Sequence, residues 1–66
     1  MNWTQMCCGE SCQYAEVQAN DGTWFQLWKH ADGGIEARRY SADKMPLDAE
    51  RMPVTAQTLA DLGIAV

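Results

Sequence analysis

The sequence predicts a small α+β domain, a three-stranded antiparallel β-meander packed against one short C-terminal α-helix. Three observations carry that prediction. Two runs of β-forming residues flank Asn20-Asp21-Gly22, a second turn signal follows at Ala31-Asp32-Gly33-Gly34, and the C-terminal residues show the capping pattern of a helix. The 66 residues form one domain: an N-terminal segment (1–11), the meander (12–41), a connection (42–53) and the helix (54–63).

Gln13 to Ala19 and Thr23 to His30 supply the first two strands. A glycine closing the three-residue loop at 20–22 tolerates the positive φ of a turn-plus-bulge hairpin. Ile35 to Ser41 is the third strand. Met45-Pro46 and Met52-Pro53 hold the residue before each proline extended, so 42–53 reads as a connection with one helical turn at most. Thr55 N-caps the helix, Gly63 provides its left-handed end, and Ile64 folds back on the last turn. No internal repeat is apparent.

Register converts strands into surfaces, because alternate side chains point to opposite faces. The first loop pairs Ala19 with Thr23, and hence Val17 with Phe25, Tyr14 with Trp28 and Cys12 with His30. A two- or four-residue second loop pairs His30 with Ile35, Phe25 with Tyr40, and Lys29 with Glu36, an attractive charge match. One face then holds Ala15, Val17, Phe25, Leu27 and Tyr40. The other holds Tyr14, Trp24, Trp28, Ile35 and Ala37, edged by Cys12, His30 and Arg39. A two-turn helix covers one face only. The second must be covered by the N-terminal segment with Trp3 and Met6, or by another chain.

Composition limits the function classes. At 47% apolar with three Trp, the chain is no disordered acidic tail, and nine acids against five bases argue against a basic nucleic-acid binder. A domain this short buries only ~60% of its unfolded surface, which makes a staple or a partner valuable. No run approaches the ~20 apolar residues of a membrane span. The N-terminus lacks the charged and apolar regions of a secretory signal, and the odd cysteine count suits a reducing compartment, so a complete cytoplasmic protein is expected.

The sequence therefore points to a non-enzymatic, acidic interaction or regulatory module. It would act as an inhibitor or adaptor of the kind phages and mobile elements encode, binding a protein partner or forming a homodimer. Tyr14, Trp24 and Trp28 are the expected anchors, with Arg39 at their flank, since Trp, Tyr and Arg dominate interface energetics. One alternative is a zinc site. Cys7, Cys8, Cys12 and His30 offer three thiolates and an imidazole, although Cys-Cys-x3-Cys is not a zinc-knuckle spacing. A second alternative is single-stranded nucleic acid stacked on the aromatic face, which a formal charge of −4 opposes. No catalytic constellation emerges. A Cys–His pair would need an orienting group and an oxyanion hole that 66 residues offer little room to build.

Overall fold

A computed structural model describes residues 3–5 and 12–65. It shows an α+β architecture: β1 (Thr4–Gln5), β2 (Gln13–Gln18), β3 (Trp24–Lys29), β4 (Ile35–Tyr40), β5 (Met52–Val54) and the helix α1 (Ala56–Asp61). The strands lie in the order β1-β2-β3-β4-β5, every neighbouring pair antiparallel. The sheet thus has five strands among the described residues, where the sequence predicts three. The two additional strands are short and lie at the edges. Prolines are confined to such edge positions, where a missing backbone donor costs no ladder bond, and both Met-Pro extensions found that use. Pro46 bridges to Tyr40, and Pro53 sits in β5. The connection expected to hold at most one helical turn thus contains no helix: its two Met-Pro steps lie extended beside β4, joined by turns and bends.

The first hairpin has the predicted register, with Tyr14 opposite Trp28 and Val17 opposite Phe25. The second is displaced by one residue: Lys29 faces Ile35, Trp28 faces Glu36, and Trp24 faces Tyr40. The cause is the loop. His30 N–H donates to Gly34 O (2.8 Å), Gly33 N–H donates to His30 O (2.9 Å), and Gly33 takes the positive φ of 89°. This is a three-residue loop, the same device as at 20–22, where Ala19 N–H donates to Thr23 O and Gly22 has φ 94°.

A third copy of that turn follows. Ser41 N–H donates to Met45 O, Lys44 N–H donates to Ser41 O, and Lys44 adopts φ 70°. The left-handed positions therefore recur every eleven residues, at 22, 33 and 44, each preceded by an aspartate. This repeat is invisible to a search for glycine because its third member is lysine. Left-handed backbone costs a non-glycine residue about 1 kcal/mol. Lys44 offsets that cost with its side chain: Nζ lies 3.9 Å from the Trp24 ring centroid and 2.7 Å from Glu16 Oε1. Lys44→Gly removes the strain and these contacts together, so its stability should stay within about 0.5 kcal/mol of wild type. Lys44→Ala keeps the strain and loses the contacts, and should be the less stable of the two by about 1 kcal/mol. Urea melts of both variants check this, and the opposite ranking would refute it.

The one-residue displacement redistributes the faces. Ile35 and Ala37 join Ala15, Phe25 and Leu27 on the core side, while Tyr40 moves to the aromatic side. The core cluster of Ala19, Phe25, Leu27, Ile35, Ala37, Leu59 and Ile64 lies between the sheet and α1, with Trp3 and Val17 packed against it. The helix end follows the predicted capping. Thr55 Oγ1 accepts from Thr58 N–H (3.1 Å). At the other end Gly63 N–H donates to Ala60 O and Ile64 N–H donates to Leu59 O, the two bonds of a Schellman motif.

Candidate functional site

Strand register assembles the site on the sheet face opposite α1. Three rows of cross-strand neighbours run over it: Tyr14, Trp28 and Glu36; then Glu16, Gln26 and Arg38; then Trp24 and Tyr40 beside Gln18. Two aromatic rows thus flank a polar one. Successive same-face residues are two apart, so the aromatic rows lie roughly 13 Å from each other. All four rings are half-buried. Tyr14 and Trp28 meet in a tilted pair, centroids 5.6 Å apart at 57°, which suits the ring quadrupoles.

What shields these rings is unusual: cations rather than a second layer. Lys44 lies over Trp24, Arg51 Cζ lies 4.5 Å from the Trp28 centroid, and Arg38 Cζ lies 5.2 Å from that of Tyr40. Each position has a structural cause. The third turn places Lys44. The loop between Leu47 and β5 projects Arg51, and it is pinned by Asp48, whose backbone oxygen accepts from Arg38 Nε (3.1 Å). Burial and then the nearby Glu16 carboxylate push the Tyr14 hydroxyl above its usual range, against a weaker opposing hydrogen bond with Gln26.

Of the expected anchors, Tyr14, Trp24 and Trp28 share this face. Arg39 does not. It pairs with Phe25, which puts it on the core side, a direct result of the one-residue displacement. There Asp48 accepts from its Nε (3.0 Å) and Nη2 (2.9 Å). The guanidinium holds the Asp48 carboxyl below the usual carboxylate range, chiefly through hydrogen bonding. Arg39 is thus a clamp on the connection. Sequence reasoning missed Tyr40, Arg38, Lys44 and Arg51 on the aromatic face. The eleven-residue turn spacing would have placed the first three.

Trp3, one candidate cover for the aromatic face, packs instead against the core cluster, with Lys29 Nζ 5.7 Å from its ring centroid. Met6, Cys7 and Cys8 lie outside the described residues. Of the other two proposed zinc ligands, Cys12 is buried immediately before β2, and His30 Nε2 is 2.6 Å from Glu36 Oε1. Among the described residues no group of three or more His, Cys, Asp or Glu side chains is placed to hold a metal ion. No helix of the described chain is long and apolar enough to cross a membrane. Comparison with known proteins adds no relative: no family model matches the chain, and no curated protein or solved structure is significantly similar to it.

Proposed function

We propose that this protein is a non-enzymatic interaction and regulatory module that binds a protein partner, or a second copy of itself, through its aromatic sheet face. One observation carries the reading. Four aromatic rings occupy a face that no second layer of the described chain covers, while Trp3 and α1 both pack on the opposite side. Cationic side chains are movable covers, so a partner can take their place over the rings. Trp28, Trp24 and Tyr14 are the anchors, joined by Tyr40. The small size and acidic charge suit an inhibitor or adaptor of the type encoded by phages and mobile elements, working in the cytoplasm.

The test compares three versions of the tagged protein: wild type, Gln26→Arg in the middle of the face, and Met52→Ser on the core side, where Met52 is 55% exposed. Each is used for capture from the native host and for light scattering at two concentrations. A captured protein or a dimer that is lost with Gln26→Arg and kept with Met52→Ser supports the reading. Loss with Met52→Ser alone, retention in both variants, or a wild type that is monomeric and captures nothing would each reject it.

A further inference from the structure

Charge on the aromatic face singles out the chemistry of its occupant. Three of the five cations of the chain, Arg38, Lys44 and Arg51, gather on a face of a protein with formal charge −4. The carboxylates that rise from its strands are already engaged, Glu16 with Lys44 (2.7 Å) and Glu36 with His30 (2.6 Å). Among the described residues Arg38 and Arg51 form no ion pair. Two guanidinium groups therefore rest on aromatic rings outside any ion pair among the described residues, Arg38 sharing only the field of the Asp48 carboxylate and a hydrogen bond to the Asp48 backbone oxygen.

We propose that this face binds an extended, carboxylate-bearing segment of a partner protein, a proposal that rests on the reading given above. Side chains on one side of an extended chain repeat every two residues, the spacing of the three rows beneath. Apolar side chains at positions i and i+4 meet the two aromatic rows. An acidic side chain at i+2 lies over the central row and takes Arg38, and one beyond the Trp28 end takes Arg51. Arginine suits both tasks, since its planar fork binds carboxylate bidentately and stacks on rings. Single-stranded nucleic acid is the less favoured occupant. Its affinity comes mainly from serial phosphate contacts, and two arginines outside ion pairs on a net-negative protein give a polyanion little hold, whereas a few carboxylates confined to the patch match it.

The test is a tryptophan-fluorescence titration of the full chain with three probes: a Leu-Ser-Glu-Ser-Leu peptide flanked by glutamates, the same peptide with every Glu replaced by Gln, and oligothymidylate. The glutamate peptide should bind in a salt-sensitive manner. Its affinity should fall about tenfold with the glutamine peptide and again with the Arg38→Gln/Arg51→Gln variant, as for a charge-assisted pair. If the double variant does not fold, Arg51→Gln alone serves, because Arg51 is exposed, with a loss of about threefold. Equal binding of the glutamine peptide, undiminished affinity in the arginine variant, tighter binding of oligothymidylate, or no response would overturn the proposal. A partner captured by wild type and lost with Gln26→Arg, yet indifferent to the arginine substitution, would leave the interaction face standing and remove only its acidic ligand.

Discussion

Leu27→Ala should remove about half or more of this protein's stability at 25 °C. Leu27 is fully buried in the central strand β3, and its cross-strand neighbours on the core face are Ala15 and Ala37. Truncation would leave three alanines in a row, and neither flanking methyl can reach into the space. The cost should therefore fall in the upper part of the usual range, about 3–5 kcal/mol. A 66-residue domain has only ~3–10 kcal/mol of stability in total. Leu27→Met, which conserves volume, should cost less than about 1.5 kcal/mol. Urea denaturation followed by circular dichroism measures both. A loss below about 2 kcal/mol for the alanine variant would show that the centre of the core lies elsewhere.

The second large effect is expected at the helix end. Gly63 has φ +83°, and a Cβ placed there would overlap Asn20 Nδ2, with the rest of the Asn20 amide within 2.7 Å. Asn20 is also tied to this turn through its backbone, donating to Leu62 O at 3.3 Å. Gly63→Ala thus meets two penalties, left-handed strain and a steric clash, and should cost about 1–3 kcal/mol. They are separable. Asn20 is exposed and its amide can be removed, so the clash should vanish in the Asn20→Ala background and the backbone strain should persist. Thermal melts of the two single variants and the double variant provide the cycle. If Gly63→Ala costs nothing once Asn20 is alanine, strain has no share in the effect.

The legible and illegible parts of the fold separate along one physical line. The first hairpin could be read because Asn20-Asp21-Gly22 offers a single glycine for the left-handed position. The second offers Gly33 and Gly34 side by side, and sequence alone does not say which takes positive φ. The Lys29–Glu36 charge match then favoured the wrong register, whereas in the structure Glu36 pairs with His30, from the same side of the sheet. The third turn escaped notice because Lys44 holds a conformation normally left to glycine, by means of a ring and a carboxylate contributed from β3 and β2. Likewise β5 is hidden from the sequence, because proline argues against a strand everywhere except at an edge. The helix caps at Thr55 and Gly63 were legible because they are local, but Val54, expected to open the 54–63 helix segment, ends β5 instead, paired with Ile35. Of the candidate site, the ring positions on β2 and β3 followed from the one correct register. The cations did not, because each depends on a turn or loop that only tertiary contacts define.

The equal length of the three turns has a consequence for how this chain can change. Two turns of three residues, eleven apart, keep every even-numbered residue from Tyr14 to Tyr40 on the aromatic face of the strands and every odd-numbered one on the core face. The loop at 48–51 reverses that parity, so that Val54 lies beside Ile35. Insertion or deletion of one residue within a strand would turn the remainder of that strand over, exposing core methyl groups and burying arginines. Gain or loss of two would only shift the pairing along the strand. Length within these strands is therefore constrained in steps of two, whereas a loop such as 48–51, which already resets the parity, can absorb a single residue.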